Sequence, residues 1–176
     1  LSATYDGTPK SAVATTAPSG LSVSITYDGL ATPPFNAGNH TVVAKITDPN
    51  YTGTVSGTLV ITPAAASVTP NAAGKIYGTA DPAFTGTLTG FVGVDNVTAT
   101  YSRTAGETVL GGPYTISATL SPSAVLSNYS ITYNTASFSI TPAAASVTPN
   151  AAGKTYGTAD PAFTGTLTGF LPTDGV

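Results

Sequence analysis

The chain of 176 residues has no cysteine, no methionine, no tryptophan and no glutamine. Charge is scarce as well: five Lys or Arg and eight Asp or Glu make up 7% of the residues, against about 25% in an ordinary soluble domain. Each absence excludes a class of function. Without cysteine there is no disulfide framework, no thiolate nucleophile and no Cys-ligated zinc or iron–sulfur centre. Five dispersed basic residues at a net charge of −3 cannot neutralise many phosphates, so nucleic acid is not an expected partner. Hydroxyl groups carry the polarity instead, with 33 threonines.

So little charge raises the question of a membrane. From Thr108 to Gly153 there are 46 residues without a charged side chain. A spanning helix needs about 20 predominantly apolar residues in a row, and this stretch is broken throughout by Ser, Thr, Asn, Gly and Pro. A barrel strand needs a lipid-facing apolar stripe with aromatic girdles, whereas the alternating faces here are mostly Ala and Thr. A soluble chain without membrane insertion is expected. The residues after Leu1 have no basic n-region and no apolar h-region, so no signal peptide is legible. The pattern is already under way at Leu1, as in a processed protein or a window on a longer one.

An internal repeat organises what is present. Ile61–Phe91 and Ile140–Phe170 superpose at an offset of 79, with 30 of 31 positions identical; the exception is Ile76 against Thr155. The first 60 residues are a relative rather than a copy. Gly38-Asn-His40-Thr-Val-Val-Ala-Lys-Ile46 follows the pattern of Gly112-Pro-Tyr114-Thr-Ile-Ser-Ala-Thr-Leu120, and Asn50-Tyr51 corresponds to Asn128-Tyr129. Three modules are expected: residues 1–63, a complete module at 64–142, and the start of another at 143–176. Pro63 and Pro142 at the junctions fix φ and remove a backbone donor, which predicts stiff joints.

The local pattern is β throughout. Leu21–Tyr27, His40–Ile46, Thr58–Thr62, Tyr114–Leu120 and Tyr129–Tyr133 alternate polar and apolar residues at period two. Asp6-Gly7, Asp28-Gly29, Pro18-Ser-Gly20, Ala37-Gly38 and Asp81-Pro82 supply turns. Only Ser121–Asn128 could hold a helical turn, since 14 Pro and 19 Gly argue against long helices. The fold class expected is all-β or nearly so: tandem small β modules in an elongated rod. The predicted core of the complete module is Tyr77, Phe84, Leu88, Phe91, Tyr101, Tyr114, Ile116, Tyr129 and Phe138.

The complete module resembles the bacterial MBG domains of the YGX type, repeats of very large secreted and surface adhesins. The resemblance rests on Gly74-Lys75-Ile76-Tyr77-Gly78, Asp81-Pro82-Ala-Phe84, Leu88-Thr-Gly90, Arg103-Thr-Ala-Gly106-Glu107, Gly112-Pro-Tyr114, Asn128-Tyr129 and Phe138-Ser-Ile-Thr-Pro142. The first module, with Tyr5-Asp-Gly-Thr-Pro-Lys10 and Ala37-Gly-Asn-His-Thr-Val-Val43, is similar to the partner MBG type. The resemblance implies extracellular, β-grasp-like or immunoglobulin-like modules used as stalks or adhesive segments. Leu110-Gly-Gly112 departs from the pattern as a small loop insertion.

No constellation for catalysis, cofactor or metal binding stands out. Gly153-Lys154-Thr155 ends like a phosphate loop, but Thr148 stands where its first glycine belongs and Ile76 replaces the hydroxyl in the sister copy, so a turn lysine is expected. His40, the sole histidine, has Tyr114 as its counterpart and reads as an amphipathic strand residue. Asp6, Asp28, Asp48, Asp81, Asp95 and Asp160 stand singly beside turn residues. Asx turns account for them better than a glycosidase pair or a calcium loop. Arg103 and Glu107 read as a loop ion pair; the alternative is a Lys75–Asn isopeptide cross-link with Glu107 as proton shuttle. Asn39, Asn50, Asn96 and Asn128 each open a glycosylation sequon.

The function expected is a non-enzymatic extracellular repeat segment of a bacterial surface adhesin, a spacer or weak multivalent adhesive module. Its partners would be neighbouring modules, a host glycan or protein, or another copy in an assembly. The alternative is a segment of a surface filament whose unpaired edge at 143–176 is completed by strand addition.

Overall fold

The computed structural model describes residues 1–176 and is built almost wholly of strands. Residues 1–62 form one four-stranded sheet from β1 (Ser2–Thr4), β2 (Val23–Tyr27), β3 (Gly38–Ile46) and β4 (Thr54–Thr62), in the order β1-β4-β3-β2. Period two decides which side chains turn inward. On β3 these are Val42 and Ala44, and on β4 they are Leu59 and Ile61. Tyr27-Asp28-Gly29-Leu30 closes as a tight turn, with φ of +49° at Asp28 and +86° at Gly29 and hydrogen bonds in both directions between Tyr27 and Leu30. Two positive φ values in succession suit Asp-Gly, because a short polar residue and a residue without Cβ tolerate the left-handed region.

The second module carries seven strands in two sheets. One runs β10-β5-β7, from β5 (Ala64–Pro70), β7 (Gly86–Thr89) and β10 (Tyr129–Tyr133). The other runs β6-β11-β9-β8, from β6 (Ala73–Ile76), β8 (Thr98–Arg103), β9 (Tyr114–Ser121) and β11 (Ala136–Thr141). The sheets share strand paths. Tyr129 to Tyr133 lie parallel beside Ala64 to Val68, and Phe138 to Thr141 lie parallel beside Ala73 to Ile76. The pairing offset is 65 in both, so one pair of chain segments runs side by side and passes from one sheet into the other. Asn134 bridges the crossing, its backbone N–H donating to the Val68 carbonyl at 3.0 Å and its side chain donating to Thr69 Oγ1 at 2.9 Å. The helical turn expected near Ser121–Asn128 is a 3-10 turn at Ser123–Asn128.

Residues 143–176 form a smaller unit. β12 (Ser146–Pro149) and β13 (Gly165–Thr168) repeat the β5–β7 pairing at the 79-residue offset, and Pro172–Asp174 repeats the 3-10 turn at Gly93–Asp95. β12 starts three residues later than the equivalent of β5. In β5 those residues, Ala64–Ala66, are held by β10, and no strand of this segment takes that place.

Burial follows from this pairing. Phe138 and Ile116 are fully buried with Tyr114 and Ile140, and Phe84 meets Phe138 edge-on at 5.6 Å between centroids. Tyr129 is also buried, as expected. Tyr77, Phe84, Leu88, Phe91 and Tyr101 are only half-buried, because a module this small has too little interior to enclose large rings on all sides. The second cluster is not confined to one module. Tyr5, Tyr27, Val42, Leu59 and Ile61 of the first module pack with Ala66 and Tyr129 of the second.

Candidate functional site at the module joint

The shared cluster brings polar groups of the first two modules together at their joint. Tyr5 follows β1, and its backbone N–H donates to the Thr62 carbonyl at 2.9 Å, which fixes the ring at the end of the first sheet. Its hydroxyl donates to Asp95 of the second module, at 3.0 Å to Oδ1 and 2.9 Å to Oδ2. Tyr129, at the start of β10, donates to Oδ2 of the same carboxylate and accepts the Val92 backbone N–H at 2.9 Å. The rings of Tyr5 and Tyr129 meet edge to face at 5.4 Å and 80°, and Phe91 leans on Tyr129 at 4.9 Å. Burial and then the adjacent Asp95 carboxylate push the Tyr5 phenol up to about 12, and burial followed by Asp95 raises Tyr129 as well.

The joint has a second clasp. Asn128 is the only buried side chain of its polarity, and both ends of its amide reach across the boundary. Oδ1 accepts the Ala37 backbone N–H at 2.8 Å, and Nδ2 donates to Asn36 Oδ1 at 3.1 Å. His40 steadies the same loop from behind: Nδ1 lies 2.8 Å from Asp28 Oδ2, and Nε2 lies 3.1 Å from the Asn36 carbonyl. Both partners only accept, so only the imidazolium form can donate to both at once. The hydrogen bond to Asp28 raises the His40 pKa and lowers that of Asp28.

A matching joint links the second module to the third. Tyr77 donates to Asp174 Oδ1 at 2.6 Å, and Asp174 lies 79 residues after Asp95. Gly7 and Gly78, with φ of +78° and +83°, bring the backbone against Val92 and Leu171 respectively. A Cβ would stand 3.0 Å from Val92 Cγ1 at the first joint and 2.7 Å from Leu171 Cδ1 at the second. One tyrosine followed closely by one such glycine therefore meets one aspartate at both boundaries.

The remaining candidate residues have other places. Lys75 pairs with Asp81 at 2.8 Å and with Glu107, while Arg103 pairs with Asp81 at 2.6 Å and with Glu107. The Arg103 guanidinium also lies over Phe138, 4.6 Å from the ring centroid. The expected Arg103–Glu107 pair is thus half of a four-membered ionic ring. The hydrogen bond from Arg103, and then that from Lys75, hold the Asp81 carboxyl down at about 2. The Lys75 ammonium is engaged by two carboxylates, and no asparagine is among its bonded partners, which does not suit an isopeptide link. Lys154 pairs with Asp160 at 2.5 Å and is followed by a turn rather than a helix. Asx bonding accounts for Asp6 and Asp48, which accept the N–H two residues on. It does not account for Asp28, which holds His40 and the Thr41 N–H, for Asp81 and Asp95, which serve the ionic ring and the joint, or for Asp160, which pairs with Lys154. Of the sequon asparagines, Asn39, Asn50 and Asn96 are exposed, whereas Asn128 is closed inside the clasp.

Sequence reasoning placed Tyr129 in a core, assigned Asp95 to a turn and gave Tyr5 no role at the joint. A signal was available: Asp95 and Asp174 recur at the repeat offset after Phe91 and Phe170, beyond the identical stretch. Residues 1–65 match the MBG domain family, and residues 66–139 and 145–176 match the MBG domain (YGX type) family. The chain belongs to the MBG domain family. The matched families describe a repeat domain found in larger surface proteins, and nothing in them points to catalysis. No curated protein and no solved structure matches the chain.

Proposed function

We propose that these MBG modules form a non-enzymatic, load-bearing stalk in an extracellular bacterial surface adhesin. One observation carries this reading. In each of the first two modules the opening and closing strands are neighbours and parallel: β1 beside β4, and β5–β6 beside β10–β11. Tension applied through the two ends of a module pulls such strands past each other. All the ladder hydrogen bonds are then loaded together in shear, whereas an antiparallel hairpin opens one bond at a time. The first joint extends the same logic, because a shared apolar cluster and a buried Asn clasp resist bending between the first two modules. A low-charge, thiol-free surface suits a spacer that meets its surroundings only weakly.

Single-molecule stretching of the full chain tests this. The second module has nine parallel register pairs at its clamp, five in β5–β10 and four in β6–β11, and the first has three. Two separate unfolding events are expected, with the first module yielding at the lower force. Unfolding without a resolvable force peak would remove the stalk reading. Saturable binding of one isolated module to a mucin or glycan would replace it with direct adhesion.

A further inference from the structure

The first joint contains one side chain whose ordinary titration lies near neutral pH. His40, the sole histidine of the chain, stands on β3 with its side chain 16% exposed, so its bonds are largely shielded from water. The ring bridges two segments: Nδ1 faces Asp28 Oδ2 at 2.8 Å, and Nε2 faces the Asn36 carbonyl at 3.1 Å. Asn36 and Ala37 are the residues that the second module grips. Asn128 Nδ2 donates to Asn36 Oδ1, and the Ala37 N–H donates to Asn128 Oδ1. The ring therefore holds, from the side of the first module, the loop that Asn128 holds from the second. We propose that His40 is a proton-operated latch on this joint: the doubly protonated ring keeps Asn36 and Ala37 closed on Asn128, and loss of one proton releases them and loosens the two modules.

A neutral imidazole has one N–H and one lone pair. A lone pair on Nδ1 would stand against the Asp28 carboxylate, so the remaining proton stays there. The Nε2 lone pair then faces the Asn36 carbonyl oxygen at 3.1 Å, and two acceptors at that distance repel. The Lys10 N–H anchors the loop at the Pro34 carbonyl, 2.8 Å away, which confines the release to Phe35–Ala37. No neighbouring group replaces the lost proton. Asp28 is the only charged side chain on the ring: the loop Gly29–Asn39, the facing strand β4 and Ser123–Asn128 of the second module carry none. Lys10 directs its ammonium to Asp6, and Lys45 lies near the far end of β3. Beyond the clasp, Tyr5 and Tyr129 share Asp95, and burial raises both phenols, so they stay neutral where an imidazole titrates. The hydrogen bond to Asp28 raises the His40 pKa, which puts release on the alkaline side of the ordinary value of 6.5. Tyr114 stands at the equivalent position of the second module. Its hydroxyl donates to the Thr108 carbonyl at 2.8 Å and accepts the Thr108 N–H at 3.1 Å, a pairing that needs no charge. The latch concerns the joint alone and holds whether or not the chain bears load.

The test follows the full chain by NMR across the titration of His40, reading amide hydrogen exchange corrected for the intrinsic rate. As pH rises through the pKa measured on the ring itself, protection of the Ala37 amide should fall about three- to tenfold further than that of the Tyr5 amide, which reports the first sheet. Linkage is reciprocal, so Asn128→Ala should make the ring titrate at lower pH, while the Phe138 signals report an intact second module. His40→Phe should leave Ala37 weakly protected at every pH. The latch is overturned if the ring titrates at the same pH in Asn128→Ala as in the unsubstituted chain, or if Ala37 protection is constant through the titration. Equal losses at Ala37 and Tyr5 overturn it as well, since the first module would then be opening as a whole. So does a His40→Phe chain that keeps the pH dependence.

Discussion

Replacing Tyr129 with phenylalanine removes one hydroxyl from the first joint and leaves its ring packing in place. That hydroxyl donates to the Asp95 carboxylate and accepts the Val92 N–H at 2.9 Å. A hydrogen bond to a charged group contributes about 1.5–3 kcal/mol, and an orphaned buried N–H costs about 1–3 kcal/mol more. The second joint shows how much of this is recovered. Where no tyrosine is present, the Leu171 N–H turns to Asp174 Oδ2, so Val92 can turn to Asp95 in the same way. Only the charged bond is then lost, and Tyr129→Phe should cost about 2 kcal/mol rather than the sum. Urea unfolding followed by NMR signals of Leu59 and Phe138, on opposite sides of the joint, measures this. A double-mutant cycle with Asp95→Ala should recover a coupling of about 1.5–3 kcal/mol. A loss below about 0.5 kcal/mol, or zero coupling, would refute the assignment of Asp95 as the shared acceptor.

The joint should also fail at high pH. The folded state keeps the Tyr5 phenol neutral to about 12 against an ordinary value of 10.0. Its stabilisation is therefore complete below pH 10 and is lost between about pH 10 and 12, which spectrophotometric titration of tyrosine alongside circular dichroism will show. His40 has the raised folded pKa of a cation with an acceptor on each side, so its contribution is full below the unfolded value of 6.5 and declines as pH rises through the folded value. The melting temperature of the first module should fall across that range, and His40→Tyr should abolish the slope. Gly7→Ala should cost about 1–2 kcal/mol for the left-handed φ alone; a neutral outcome in urea unfolding would mean that the tight contact with Val92 relaxes freely. In the ionic ring, Arg103→Ala should lower the melting temperature of the second module more than Glu107→Gln does, because the Arg103 side chain is 7% exposed and that of Glu107 is 65% exposed.

Much of the secondary structure was legible because period-two alternation and turn residues are local properties. Tyr129–Tyr133 is a strand with the predicted bounds, and the predicted helical turn falls at Ser123–Asn128, whereas the 3-10 turns at Gly93–Asp95 and Pro172–Asp174 were not expected. The core was legible in part: Tyr114, Ile116, Tyr129 and Phe138 are buried as expected. Tyr77 and Phe91 look equally apolar in sequence, but they stand at the edges of clusters where only neighbouring elements decide their coverage. Lys75, Asp81 and Glu107 illustrate the same limit in charge. The spacing of Arg103 and Glu107 suggested one pair, whereas the strand pairing brings β6 and the following turn beside them and closes a ring of four.

By itself the sequence determined a β-built, thiol-free, sparsely charged repeat with a 79-residue period, since composition and periodicity need no knowledge of distant contacts. Tertiary structure alone decided that the first and last strands of each of the first two modules run parallel, and that Tyr5 and Tyr129 share one carboxylate 90 and 34 residues away in the chain. Those facts depend on which strand edges meet, and edge pairing is a non-local choice made by the whole chain at once.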